Sequence, residues 1–218
     1  MKKILLLLAG LSFSFCTIAQ NTNVTTRLPQ NHNLEGGGSS TDNSGFGIKG
    51  GVNFNQLRGS DKGSIDNMTT WHAGIYGQFP VAGSSFFSIQ PEILFNRRGF
   101  KADNNGENVE IKSDYLEVPL LFVFNVFDHV GFHIGPQAGV LLTVKENERE
   151  LGESTKSRMN SFVYGATAGV EGRLSIARIG ARYNLGLYDI YKEPSTVAGR
   201  AVEDLKNGQF QVYVGVGF

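Results

Sequence analysis

The sequence predicts an all-β protein, an eight-stranded antiparallel up-and-down transmembrane β-barrel. Three observations predict it. Eight runs of about ten residues alternate apolar side chains with polar residues or glycine, the length and period of a tilted strand that crosses a bilayer. The connections between the runs are alternately long and short. Aromatic residues sit at both ends of the apolar faces, where membrane interfaces select them.

The first residues are set apart from the fold. Met1-Lys2-Lys3 is a basic start, residues 4–15 are apolar but too short to span a bilayer, and Thr17-Ile18-Ala19 ends on a small residue. Residues 1–19 therefore read as a secretory signal peptide cleaved after Ala19. Phe15 before Cys16 departs from the small residue that lipidation requires. Cys16 is the only cysteine, so the exported chain would hold no disulfide and no thiolate metal site. Residues 20–45, rich in Asn, Thr, Gly and Ser, read as a flexible periplasmic tail. Residues 46–218 are the predicted barrel.

The strands follow in order. Phe46, Ile48, Gly50, Val52 and Phe54 alternate with Gly47, Lys49, Gly51 and Asn53. Trp71, Ala73, Ile75, Gly77 and Phe79 make the second apolar face, and Phe87, Ile89, Pro91, Ile93 and Phe95 the third. Leu116 to Phe124, Phe132 to Leu142, Phe162 to Val170, Ile179 to Leu187 and Phe210 to Phe218 repeat the pattern. Residues 56–69, 98–112, 144–160 and 190–207 read as long polar loops, and 80–85, 126–130 and 174–177 as tight turns.

The apolar face is expected to point outward. Phe46, Phe79, Phe87, Phe124, Phe132 and Phe218 would ring the short-turn end, and Phe54, Trp71, Phe95 and Phe162 the long-loop end. Glycines on the other face suit the inside of a narrow barrel. The terminal Phe218 is the kind of residue that barrel-assembly machinery reads. A soluble lipocalin-like barrel is the rival fold; it would need the opposite orientation, with phenylalanines around a ligand.

Composition is consistent with export to an outer membrane. The chain has 20 basic and 20 acidic residues, and loss of Lys2 and Lys3 leaves 18 against 20, a net charge of −2. No basic surplus points to nucleic acid. Mean hydropathy is slightly negative, as expected where membrane-facing residues are only every second one.

The ordered set Gly47-Ile48-Lys49-Gly50-Gly51-Val52-Asn53, Gln90-Pro91-Glu92-Ile93-Leu94-Phe95, Tyr115-Leu116-Glu117-Val118-Pro119-Leu120, Gly135-Pro136-Gln137-Ala138-Gly139 and Val214-Gly215-Val216-Gly217-Phe218 resembles the PorT-like outer-membrane β-barrel domain family over about residues 46 to 218. The resemblance implies an outer-membrane barrel without fixing an activity. The family's namesake is associated with type IX secretion, so an envelope or secretion protein is a conceivable partner, beside the outer-membrane lipids themselves.

The inward face carries Lys49, Glu92, Glu117, Glu171, Arg173, Arg178 and Arg182. An Asn105-Gly106 type I′ turn sets Glu92 opposite Pro119, with Glu117 on the diagonal. The 174–177 turn puts Glu171 diagonal to Arg178 and Arg182. Close carboxylates in a low-dielectric lumen need cations. Lys49 and one or more of these arginines are therefore expected to reach Glu92 and Glu117, making a salt-bridge network that fills the lumen.

Three function classes follow. The network is either purely structural or the gate of a narrow pore for small solutes. A lipid-modifying enzyme would need a nucleophile, base and orienter together. His72, His133, Ser88 and Glu92 face inward, but the two histidines fall toward opposite ends of their strands, and no metal-ligand spacing, P-loop or Gly-x-Ser-x-Gly elbow is present. No catalysis and no cofactor are expected. The third class is partner binding through the long loops, above all the loop where Lys145, Arg149, Lys156 and Arg158 stand among Glu146, Glu148, Glu150 and Glu153.

Overall fold

The computed structural model describes residues 44–58, 65–104, 107–127, 129–147, 149–150, 159–190, 195–197, 200–202 and 206–218. The expected signal peptide and nearly all of the expected tail lie outside them. Eight long strands form the wall: β1 (Gly45–Arg58), β2 (Ile65–Pro80), β3 (Phe87–Asn104), β4 (Glu107–Phe127), β5 (Val130–Glu146), β6 (Phe162–Leu174), β7 (Ala177–Asp189) and β8 (Lys206–Gly217). Each pairs antiparallel with its sequence neighbour, and β8 closes the ring on β1 from Gly47 opposite Gly217 to Arg58 opposite Lys206. Closure leaves no open edge along the wall.

The pairing registers set the barrel's dimensions. Followed once around from Gly45, through Gln78, Gln90, Leu121, Gly135, Thr167, Asn184 and Gln209, they return to β1 at Asn55, ten residues further along. With strands about 4.8 Å apart and residues about 3.4 Å apart, that stagger gives a tilt of about 41° and a backbone radius of about 8 Å. So narrow a cylinder has room for little besides its own inward side chains.

The alternation resolves as apolar outside and polar inside. Ile48, Ile75, Ile179 and Val214 are 53–63% exposed on the outer wall, whereas Lys49, Glu92, Arg178 and Gln211 are 0–4% exposed. Two aromatic belts bound the apolar wall. Phe46 packs edge-on to Phe79, and Phe87 lies beside Phe124, at the short-turn end. Trp71 stacks on Phe95 and Phe54 lies beside Phe210 at the other end. Phe132, Phe162 and Phe218 are exposed on the same wall, while Phe87, Phe95 and Phe124 are half-buried by their neighbours. Phe86 and Phe127 join the short-turn belt; Phe127 falls in a stretch that reads as a turn, and Phe86 directly follows one. Phe46 and Phe54 are separated by about 20 Å along the axis at this tilt, close to the apolar height of an outer-membrane barrel.

The short connections behave as expected. Val81–Gly83 is a single 3-10 turn closed by Ser84 N–H donating to Val81 O (2.9 Å), with Ala82 at φ 52°. Ser175 takes φ 53° in the turn between β6 and β7. The long connections differ from the sequence reading. Residues 98–104 and 107–112 are not loop: β3 and β4 continue to Asn104 opposite Glu107. The Asn105-Gly106 turn lies outside the described residues, but the strands that flank it hold the register it implies, with Pro91 opposite Leu120 and Leu94 opposite Glu117. At 21 residues β4 rises about 50 Å along the axis, so the β3–β4 hairpin stands well clear of the apolar wall. Polarity marked this stretch as a loop; paired strands leaving a membrane are also polar, so polarity alone cannot separate the two. Short strands Arg149–Glu150, paired to β5, and Ser195–Val197 with Arg200–Val202 decorate the same end.

Candidate functional site

Inward side chains from all eight strands meet in the lumen in three tiers. Nearest the short turns, Glu171 accepts from Arg178 Nη1 (2.9 Å), Arg173 Nε (3.4 Å) and the Tyr213 hydroxyl (2.9 Å). Glu171 lies opposite Gly180 and thus diagonal to Arg178 and Arg182, the register the tight turn implies. Two inward tyrosines use glycine neighbours as floor: Tyr76 covers Gly47 and Tyr213 covers Gly180, so a Cβ at either glycine would strike the ring. The Arg178 guanidinium sits 4.6 Å from the Tyr76 ring centre, and Lys49 Nζ 4.4 Å from that of Tyr213.

In the middle tier Glu92 holds Lys49 Nζ at 2.5 Å and Arg182 Nη1 at 2.7 Å, and also accepts from Gln90 Nε2 at 2.8 Å. Amides tie the tier to the next. Arg182 Nε donates to Gln211 Oε1 (2.6 Å), and Gln211 Nε2 to Asn53 Oδ1 (2.9 Å). Asn96 Nδ2 reaches both Glu117 Oε2 and Gln209 Oε1 at 2.9 Å. In that third tier the cation on Glu117 is Arg98, through Nη2 at 2.7 Å and Nε at 3.0 Å. Lys49 and Arg182 thus converge on Glu92, Arg173 and Arg178 on Glu171, and neither group supplies the close cation of Glu117. Sequence reading passed over Arg98 because residues 98–112 read as a loop; continuing the inward phase of β3 by one step, from Asn96, would have found it.

His72 and His133 sit inside the wall. His72 Nδ1 lies 2.6 Å from Asn53 Oδ1, an amide rather than a carboxylate. His133 is buried on β5 opposite Val123 and Gly169. Ser88 lies 3.4 Å from Asn125 Nδ2, and Glu92 is occupied by its two cations. Among the described residues no three His, Asp or Glu side chains are grouped to hold a metal.

Above the polar tiers the lumen turns apolar. Leu57, Phe100, Tyr115, Leu141, Val144 and Met159 pack with Val163, Tyr188 and Ile190 into one buried cluster at the long-loop end. A bulge builds part of it: Asp114 pairs with Thr143 but Tyr115 with Leu141, so Leu142 is extra and both Leu141 and Val144 turn inward. Arg98 Nη1 donates to the Tyr188 hydroxyl (3.1 Å), which ties cap to network. On the outer face at this height Arg97 grips Asp114 through Nε (2.6 Å) and Nη2 (2.9 Å). Glu110 bridges Lys101 (2.7 Å) and Lys112 (3.1 Å). Hydrogen bonds from Lys101, then Lys112, hold the Glu110 carboxyl below its ordinary range.

The model of the outer membrane protein beta-barrel domain matches residues 18–192, well over half of the chain. The chain belongs to this family. The outer membrane beta-barrel so identified closes with β8, beyond the matched segment. The barrel is similar to Neisserial surface protein A at 14% identity and a TM-score of 0.49, over 84% of this chain and 100% of that one. It is similar to Ail, the attachment invasion locus protein of Yersinia pestis, crystallised with the heparin analogue sucrose octasulfate, at 16% identity and a TM-score of 0.46, over 80% and 99%. It is similar to OprG of Pseudomonas aeruginosa at 11% identity and a TM-score of 0.42, over 81% and 97%. No curated protein matches the chain.

Proposed function

We propose that this outer-membrane barrel is a closed structural scaffold that presents its tall hairpins to a partner at the cell surface, without catalysis and without a continuous pore. The observation that carries this reading is the filling of the lumen: three polar tiers and an apolar cap occupy a cylinder of about 8 Å backbone radius. A solute would have to displace paired charges and then the packed cap. Chemistry on a lipid would need a nucleophile beside a base, and the inward histidine with a described partner, His72, faces an amide. The β3–β4 hairpin, by contrast, offers rigid paired strands with outward Arg97, Lys101, Glu110 and Lys112, a surface for polar recognition.

The finer assignment is to the PorT-like members of the family, which the five motifs support, with export by a signal peptide cleaved after Ala19 and an envelope or secretion protein as partner. Planar-bilayer recording tests the closed state. Wild type, Glu92→Gln and Glu117→Gln are expected to give no discrete conductance steps. Steps that appear or change size in either variant would replace this reading with a gated pore.

A further inference from the structure

A trough crosses the outer wall. Ala73, Gly50, Val214, Ile179 and Gly172 stand opposite one another on the neighbouring strands β2, β1, β8, β7 and β6, and all face outward. Nearer the short turns, Ile48, Val216, Ala177 and Leu174 make a parallel outward row. The residues between the rows, Lys49 and Arg178 among them, turn their side chains inward and leave backbone as the floor. Ile48, Val216 and Leu174 bound the trough on one side, and Val214 and Ile179 on the other. Its volume is about 800 Å³ and its lining is almost wholly apolar.

Two glycines keep it open without being required by the backbone. A Cβ at Gly50 would come no nearer than 3.5 Å to any atom beyond its chain neighbours, and one at Gly172 no nearer than 3.7 Å, both ordinary contacts. Neither residue has a positive φ. By contrast, a Cβ at the inward Gly47 would overlap the Tyr76 ring, and one at Gly51 the backbone of β8. Glycine weakens a strand, and its uses there are a bulge, a bend or the close approach of a ligand or another backbone. The register runs unbroken through Gly50 and Gly172.

The trough has the course of a lipid chain. Four strand spacings make it about 19 Å long, and at a strand tilt of about 41° it climbs about 13 Å along the axis. It starts at the short-turn belt, beside Leu174, and ends at Ala73, just past the middle of the wall. That rise is half of an apolar band ~25 Å tall, the share of one leaflet. It also crosses the seam on which β8 closes on β1, where Gly50 faces Val214 and Ile48 faces Val216.

We propose that the trough binds one acyl chain of a phospholipid from the leaflet at the short-turn end, and that this chain braces the closing seam. The headgroup lies at the belt beside the turn between Leu174 and Ala177, and the chain ends at Ala73. The wall between the belts already faces hydrocarbon, so the trough continues an interface with lipid. The inference rests on that outward apolar wall and is independent of whether the lumen conducts.

The test is native mass spectrometry of the protein extracted from its membrane in a mild detergent. The temperature at which each sample loses its unboiled gel mobility is the second readout. Wild type is expected to retain one phospholipid per barrel through gel filtration. Gly50→Leu and Gly172→Leu fill the trough where a Cβ meets only ordinary contacts, and both are expected to lose the lipid. Ala168→Leu enlarges an outward residue of β6 outside the trough and is expected to keep it. After lipid is stripped with excess detergent, dioleoyl phosphatidylethanolamine should raise the transition temperature of wild type and of Ala168→Leu and leave the two filled variants unmoved. No retained phospholipid in wild type, equal retention in the filled variants, or a bound fatty acid or detergent molecule in its place would each overturn the proposal. So would a lipid-free dimer, which would assign the trough to a second copy of the chain.

Discussion

Replacing Glu92 by glutamine keeps the side chain's shape and removes its charge. In the native lumen that carboxylate holds Lys49 at 2.5 Å and Arg182 at 2.7 Å, with both cations at most 4% exposed. The substitution leaves two cations facing an amide in a confined space. Breaking a buried ion pair by removing one partner costs about 3–5 kcal/mol. At a urea dependence of about 2 kcal/mol per molar, the unfolding midpoint falls by about 2 M. The single tryptophan, Trp71, sits in the aromatic belt on the lipid-facing wall, so its fluorescence reports the transfer of the wall out of lipid. The assay is reversible urea unfolding into and out of lipid vesicles, followed by that signal. A companion variant with Lys49, Glu92 and Arg182 all changed to methionine should recover most of the loss, because no charge is then left unpaired. A Glu92→Gln protein within about 1 kcal/mol of wild type would refute the reasoning, since it would mean that water reaches the middle tier and screens the charges.

Four further outcomes follow from the geometry. Gly180→Val drives a side chain into the Tyr213 ring and away from its bond to Glu171, for a loss of about 1–3 kcal/mol by the same unfolding assay; Tyr213→Phe, which loses only the hydrogen bond, should cost about 1 kcal/mol. Val214→Arg places a charge on the outer wall midway between Phe210 and Phe218 and should cost about 2–4 kcal/mol in bilayers, with a smaller cost if that face were not in hydrocarbon. Leu141→Ala leaves a hole in the apolar cap and should cost about 2–5 kcal/mol; cysteine labelling at the cap should accelerate with it. Glu110 titrates below an ordinary glutamate because two lysines bind its ionised form. Its contribution is therefore present above the unfolded pKa and lost as pH falls through the folded one. A carboxyl-carbon NMR titration should give a midpoint below the reference value of about 4.3 that moves back toward it in high salt.

The wall of the barrel was legible because burial there is decided by parity alone. Phe46 to Phe54 and Phe210 to Phe218 keep strict alternation, and strict alternation fixes which residues face which side. Registers were legible wherever a short turn pinned them, as between Leu174 and Ala177. Partner choice inside the lumen was less so. The sequence places Lys49 and Glu92 on inward faces of strands two apart, but distances across a barrel depend on the stagger summed over every strand, which no local pattern encodes. The apolar cap was hidden for a different reason. Leu141 and Val144 share the lumen only because Leu142 bulges, and a bulge reverses parity without leaving a mark in composition. Leu57, Val163 and Tyr188 needed no such reversal; they continue the inward phase of their strands. The apolar residues they bring inside break the polar-inward rule that identified the strands in the first place.

The closing seam sets the order of events in folding. Gly47 pairs with Gly217, a separation of 170 residues, and eleven further positions of β1 wait for the same distant strand. Neighbouring hairpins can zip as soon as both arms are present, but β1 keeps one side bare until the last strand has arrived. So remote a pairing is slow to find. Until it forms, the chain exposes an unsatisfied backbone edge, which hydrocarbon does not tolerate. The cylinder therefore cannot be laid down in the membrane strand by strand as the chain emerges. Closure is therefore expected late, after the last strand has arrived, so that slowing it should lengthen the open chain's exposure to proteases and chaperones without changing the finished barrel.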